Sequence, residues 1–267
     1  MSVKNAMPPL LDIRNATVFR GENRVFNGLS IRVEQGENLA ILGPNGCGKT
    51  TLLKLLGREL YPVVKPDSYV KLFGSETVNI WKLREKVGLV SEDLQARYTA
   101  CTRGIDVVLS GFFGAVGHYE HLRATPEQRL IAQKAIDDVG LREVQERMFH
   151  HLSSWQQRRF LLARAMIHNP GTLVFDEPTN SLDIHASFQL LLQLRDLCRR
   201  GVSVILATHH VNEILPEVSR VVLMKQGEVV ADGEKSALLT SERLSDLYEV
   251  SVAVTEQRGF YQVFPGC

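Results

Sequence analysis

Short apolar runs separated by polar, glycine-bearing turns set the rhythm of the first third of the chain. Segments 10–17 and 29–33 read as extended, and Asn38-Leu39-Ala40-Ile41-Leu42 as a buried strand. Thr51-Leu52-Leu53-Lys54-Leu55-Leu56 continues as a helix, and segments 69–73 and 87–90 predict two more strands. From about residue 93 to 166 the pattern turns helical, with few β-branched runs. There Thr125-Pro126-Glu127-Gln128 is a helix start: Thr as N-cap, Pro at the first position, Gln three on to close the box. Leu130, Ile131, Ala135 and Val139 recur near helical spacing, and Gly140 sits where a terminating glycine belongs.

Alternation resumes at Thr172. Leu173-Val174-Phe175 predicts a buried strand, 184–200 a helix and 202–208 a β-branched strand. Segments 221–223 and 228–230 predict a hairpin around Gln226-Gly227, and 251–255 and 260–264 a second across Gln257-Arg258-Gly259. The class is α/β: a core over about 1–92 and 167–241, a helical insertion over about 93–166, and an extension over 242–267 with no readable motif. Its simplest role is packing.

Residues 43–50 read Gly-Pro-Asn-Gly-Cys-Gly-Lys-Thr, between the predicted strand and helix, which is the context a phosphate-binding loop requires. Glycines Gly43, Gly46 and Gly48 let successive backbone N–H groups curl round an anion, with Pro44, Asn45 and Cys47 completing the turn. Lys49 reaches β- and γ-phosphates, Thr50 places its hydroxyl on Mg²⁺, and Thr51 follows in the helix start, whose dipole adds to the anion site. The loop's N–H donors would favour a thiolate at Cys47, though a small residue the turn tolerates explains it as simply. A nucleoside triphosphate is the expected ligand. The apolar run 173–175 ends in Asp176 and Glu177. In phosphate-loop proteins such a strand lies beside the loop, so Asp176 would hold Mg²⁺ and Glu177 would align the attacking water.

With these motifs in this order, the chain resembles the ATP-binding subunit of an ABC (ATP-binding cassette) transporter over nearly its whole length. The resemblance implies one domain over 1–267: a P-loop NTPase core of ABC-ATPase type, an inserted α-helical subdomain and an antiparallel β-subdomain at the N-terminus. It places Phe19 on adenine and makes 176–183 (Asp-Glu-Pro-Thr-Asn-Ser-Leu-Asp) the stretch from the catalytic strand to the partner subunit. It makes His209 the switch histidine on the γ-phosphate, with Lys49 and Glu177 as further catalytic groups. His210 has no such match.

Two positions depart from the family pattern. Where the family has Leu-Ser-Gly-Gly-Gln at a helix start, this chain has Leu152-Ser153-Ser154-Trp155-Gln156. Ser153 would still meet, in trans, the γ-phosphate held by the other subunit. Trp155 either points away from the nucleotide or obstructs closure. Where the family usually has glutamine, Glu92 brings a carboxylate toward a polyanion; it is a candidate Mg²⁺ ligand, with Gln95 as the alternative. The stretch from Glu92 through 107–114 is similar to importer ATPases of the molybdate- and iron-siderophore-associated subgroup.

The 31 basic and 30 acidic residues give a net charge of +1, so no strong field draws nucleic acid. Four cysteines (Cys47, Cys101, Cys198, Cys267) lack metal-ligand spacing and fit a reducing compartment. No apolar stretch reaches the roughly 20 residues of a membrane span, and residues 1–9 lack a signal core. The expected location is cytoplasmic, peripheral on the inner membrane face when assembled. The resemblance implies ATP and Mg²⁺ as cofactors, and as partners a second copy, a permease and, through it, an external solute-binding protein. Phe112, Phe113, Val116 and Tyr119 lie where family members receive a permease helix, though core packing accounts for the aromatics equally well. Import of a small solute or metal complex is the leading function. A soluble ATPase without a permease, or a low-turnover ATP sensor, remains open.

Overall fold

The computed structural model describes residues 7–114, 116 and 124–266. Tyr119, His118, His121 and Cys267 therefore lie outside the described residues. The chain runs β1 (Leu11–Arg20), β2 (Asn23–Val33), β3 (Leu39–Leu42), α1 (Lys49–Leu56), β4 (Tyr69–Leu72), α2 (Ile80–Lys86) and β5 (Val87–Ser91). Four helices follow: α3 (Glu92–Ala96), α4 (Gly104–Phe113), α5 (Pro126–Asp138) and α6 (Ser154–Met166). Then come β6 (Thr172–Asp176), α7 (Ile184–Arg199), β7 (Ser203–Thr208), β8 (Arg220–Lys225) and β9 (Glu228–Glu234). The chain closes with α8 (Lys235–Leu238), α9 (Ser241–Tyr248), β10 (Val252–Gln257) and β11 (Phe260–Pro265).

Six strands form the central sheet in the order β5-β6-β7-β3-β8-β9, parallel except for β9. Its inner strands are buried on both faces, which is why β3, β6 and β7 read as continuous apolar runs rather than alternating ones. As expected, the end of β6 comes up beside the phosphate loop, and β7 stands between β6 and β3, the strand that leads into that loop. The alternation pattern carries no information on strand order, because each parallel strand is joined to the next by a crossover.

Two apolar cores flank this sheet. One packs α1 and the antiparallel sheet β2-β1-β4 through Phe26, Ile31, Ile41 and Leu52. The other packs α4, α6, α7 and α9 through Val108, Phe160, Phe175, Leu190 and Leu247. Helix α5 has the predicted capping box, with Thr125 Oγ1 accepting from Gln128 N at 3.1 Å, and Gly140 follows in the left-handed conformation. Its inward face is partly the expected one: Val139 is buried and Ala135 packs on the core beside Ala132 and Ile136, while Leu130 is 67% exposed. The last segment is ordered, with α9 packed on the second core and β10 paired to β11 across the predicted turn.

The Gln226-Gly227 turn braces the phosphate loop. Gly227 N donates to Cys47 O at 3.0 Å, and a Cβ on Gly227 would overlap the Val25 carbonyl oxygen. Gly201 shares its positive φ but faces open space. Gly201→Ala should therefore cost roughly 1–2 kcal/mol, the left-handed backbone penalty alone. Gly227→Ala should cost at least about 3 kcal/mol, because backbone must move as well. Urea unfolding checks this, and equal costs would contradict the brace.

Candidate functional site at the edge of the parallel sheet

The site assembles where β3, β7 and β6 end together. Leu42 pairs with Thr208, and Asp176 with Ala207, so the next residues, Gly43, His209 and Glu177, leave the sheet at one edge. Two ladder-like bonds extend the register into the loops: Gly43 N donates to Thr208 O at 3.3 Å and Glu177 N to Ala207 O at 2.8 Å. Glu177 has φ +50°, a left-handed conformation that costs a non-glycine residue roughly 1–2 kcal/mol. It turns the chain sharply out of β6, and Asn180 N closes the turn on Glu177 O at 3.2 Å.

Of the loop, Gly43 has no room for a side chain against Met224 and Cys47, and Gly48, at φ +110°, abuts Phe26 before capping α1. Gly46 faces open space, and Asn45 is exposed. Pro44 takes Cys47 N at 3.3 Å. Thr51 is buried in the first turn of α1. The N–H groups of that turn have no intrahelical partner and point toward the loop. Phe19 is 45% exposed at the end of β1, paired with Arg24 on β2, one residue from Val25 against the brace.

Lys49 is 5% exposed and bridges the loop to the turn that follows β6. Its Nζ donates to Gly43 O at 2.8 Å and to Pro44 O at 3.2 Å, and lies 3.3 Å from Glu177 Oε1. The other oxygen of Glu177 faces His209, 3.4 Å from its backbone N–H. It lies 2.7 Å from His209 Nδ1 as well, outside hydrogen-bonding geometry. So Lys49, Glu177 and His209 converge on one point. His210 stacks on His209 with ring centroids 3.8 Å apart, and burial lowers its pKa.

Asp176 is buried, and burial pushes its pKa up against a hydrogen bond from Thr50. Its Oδ1 is buried without a hydrogen-bond partner. A hydroxyl beside a desolvated carboxylate with one oxygen unspent is a hard-oxygen donor set that suits Mg²⁺. The cleft beside Thr50 and Asp176 is lined by Ser91 and Asp93, and Asp93 pairs with Lys54 at 3.2 Å. Glu92 turns elsewhere: its Oε2 accepts from Asn180 Nδ2 at 2.6 Å. Gln95 does not face the cleft either, since its amide donates to Gln157 on α6 at 2.7 Å.

Ser153 is exposed at the N-cap of α6, closed by a reciprocal box with Gln156. Its Oγ accepts from Gln156 N, which leaves the hydroxyl hydrogen to donate outward, beside the unpaired N–H groups of Ser154 and Trp155. Trp155 is half-buried against the second core, with the Arg159 guanidinium 5.1 Å from its ring centroid. The indole therefore packs on the helical side of its own chain.

Cys47 corrects an expectation. It is 2% exposed, packed in the first core, and burial raises its pKa more than Lys49 and the loop N–H groups lower it. Sequence shows the donors around a thiol but not how deeply it is buried. Sequence reading also passed over Glu213, which is 1% exposed and accepts from Thr179 and Thr208, with a pKa raised by burial. It passed over Tyr248, whose hydroxyl donates to His209 O at 3.0 Å. Arg158, which beside Arg159 reads in sequence as a solvated helix face or a partner contact, is buried. A charged residue within an apolar-periodic helix was the one signal available, at Arg158.

A family model described as "ABC transporter" matches residues 26–180, more than half of the 267. The chain belongs to the ABC transporter family. Over 239 residues it is 34% identical to the cobalt import ATP-binding protein CbiO of Rhodobacter capsulatus, covering 88% of this chain and 82% of that one. Over 246 residues it is 33% identical to the Nod factor export ATP-binding protein I of Burkholderia lata, covering 90% and 76%. Among solved structures it is similar to a dimeric post-hydrolysis ATP-binding cassette bound to ADP and Pi. There the TM-score is 0.69 at 24% identity, covering 84% of this chain and 98% of that one. The subunits of this family hydrolyse ATP to power transport, so this ABC ATPase binds and hydrolyses ATP.

The burial of Cys47 sets a direct check. With iodoacetamide at pH 8, exposed Cys101 should label first, while Cys47 and Cys198, whose thiol is pushed up to about 11, resist until the chain unfolds. Peptide mass mapping reads this. Labelling of Cys47 as fast as Cys101 would contradict it.

Proposed function

We propose that this ABC ATPase energises import of a small solute or metal complex through a separate membrane permease, working as a homodimer that closes on ATP. The observation that carries the reading is the pairing of two half-sites on one chain. Lys49, Glu177 and His209 converge at the phosphate loop, and Ser153 is presented at an exposed helix start with its hydroxyl hydrogen unspent.

In this reading Lys49 and the loop N–H groups neutralise the β- and γ-phosphates, and Phe19 stacks on adenine. Glu177 accepts a hydrogen bond from water and aligns it on the γ-phosphate, which His209 holds. Thr50 and Asp176 would hold Mg²⁺, which would supply positive charge to neutralise the phosphates. Glu92 has no place in that set, because its carboxylate is held by Asn180. Ser153 of a second copy meets the γ-phosphate through its hydroxyl and the positive end of α6. Hydrolysis removes the group both copies grip and lets them separate.

Among the described residues no helix is long and apolar enough to cross a membrane, so transport calls for a membrane partner. A cleft of about 520 Å³ runs between α1, α2 and the helical segment, and Val116 lines it. Phe112 is packed on the second core, with its ring edge-on to His168, whereas Phe113 is only half-buried and outside that core. Phe113 is therefore the better candidate for contact with a permease. Import follows the resemblance of 107–114 and the cobalt-import relative; the Nod factor relative makes outward transport the alternative outcome.

Glu177→Gln removes the water acceptor while leaving the grip intact. With saturating Mg-ATP this variant should run as a dimer on size exclusion with light scattering, with turnover reduced at least about 100-fold. A monomer under those conditions would sink the two-copy mechanism. Captured from solubilised membranes it should bring permease subunits with it, and recovery without any would favour the soluble reading. Phe113→Asp should lose membrane recovery while keeping ATPase activity within about twofold, as a surface change does. Loss of both would return Phe113 to the core.

A further inference from the structure

Tyr248, the last residue of α9, donates its hydroxyl to His209 O at 3.0 Å. Burial pushes its pKa up, and Cys47 and Glu177 push the same way, so the phenol keeps its proton and stays a donor. That bond holds one side of residue 209. Glu177 Oε2, 3.4 Å from His209 N, holds the other. The ring itself has less to fix it. Its Nδ1 is buried without a hydrogen-bond partner, and it stacks on His210, the next residue of the same loop. Where the imidazole stands therefore follows from its backbone.

The helix that carries Tyr248 is anchored on several sides. Lys225, at the end of β8, donates to Asp246 O at 2.9 Å and pairs with Glu249 at 2.8 Å, so it grips α9 before and after Tyr248. The turn that follows Lys225 is the one whose Gly227 N holds Cys47 O in the phosphate loop. Leu244 and Leu247 sink α9 into the second core. Ser245 and Ser241 accept from Val252 N and Val254 N, at 3.0 and 2.9 Å, which ties the helix to β10. The hairpin tip is pinned in turn by Lys235, whose Nζ donates to the carbonyls of Leu215, Pro216 and Gly259. A hydroxyl on a strut held in this way can place its acceptor, whereas one on a frayed end could not.

We propose that Tyr248 is a positioning residue: α9, held between the end of β8 and the second core, uses its hydroxyl to set the place of His209 against the phosphate loop. Tyr248 acts through His209 and not on the reacting atoms. Its effect on turnover rests on His209 holding the γ-phosphate, as proposed above, while the placement itself does not. The segment 242–267 thereby has a part in hydrolysis beyond the packing expected of it.

The test uses Tyr248→Phe on the full chain, which removes the hydroxyl and keeps the ring. It should lower kcat for ATP about fivefold, with the Kd for ADP within about twofold, because ADP lacks the γ-phosphate. In a His209→Ala background the same change should cost less than about 1.5-fold, since nothing is left to position. Placement is read separately by NMR of protein carrying isotope-labelled histidine, without nucleotide. The His209 ring signal, assigned by its loss in His209→Ala, should shift or broaden in Tyr248→Phe, while those of His150, His151 and His168 stay in place. The proposal is overturned if the His209 signal does not move, or if Tyr248→Phe slows turnover equally in both backgrounds. It is also overturned if Tyr248→Phe keeps the full rate while His209→Ala is slow. A His209 signal that moves while His209→Ala hydrolyses ATP at the unchanged rate upholds the placement and refutes instead the γ-phosphate role of His209.

Discussion

Everything at the nucleotide edge depends on the parallel register of three strands. Because Leu42 stands opposite Thr208 and Asp176 opposite Ala207, the chain leaves β3, β7 and β6 at the same level. The phosphate loop, Glu177 and His209 are the first residues past those ends. Parallel pairing slipped by one step would turn each side chain to the opposite face of the sheet. Because β6 and β7 are buried at every position, apolar/polar alternation does not set their register, and it rests on the packing of both faces.

That edge concentrates buried charge. Asp176, Glu213, Lys49 and Arg158 are all buried there, and each polar group without a hydrogen bond carries a desolvation cost that must be met by a nearby charge or a ligand. In our reading a metal ion would meet Asp176 Oδ1. The left-handed Glu177 belongs to the same economy: a strained turn is held by the Lys49 ion pair and by the Ala207 and Asn180 backbone bonds. Tyr248, from the terminal segment, adds a bond to the His209 carbonyl, so that segment also steadies His209.

Much of this was legible in the sequence. The loop 43–50, the strand ending in Asp176-Glu177, the Thr125 capping box and both hairpins are local patterns, and local patterns survive folding. Order and depth were not. The insertion of β7 between β3 and β6 is a choice among crossovers that periodicity does not encode. Leu130 and Ile131 fit a helical stripe, yet the neighbouring helices meet the Ala132–Ile136 side instead. Cys47 looked like an activated thiol because its donors are sequence-local, whereas the core that buries it comes from distant strands. Glu92 looked like a metal ligand by position alone, and its partner Asn180 lies far along the chain.

The account stands on Lys49, Glu177 and His209 meeting around a single γ-phosphate. A crystal structure of the full chain with Mg²⁺, ADP and aluminium fluoride tests this most directly, since the planar fluoride marks the transferring group. We expect Lys49 Nζ and the His209 ring within hydrogen-bonding distance of the fluoride, and a water in line with it held by Glu177. A water held by another residue, or a His209 ring turned away from the fluoride, would contradict the account.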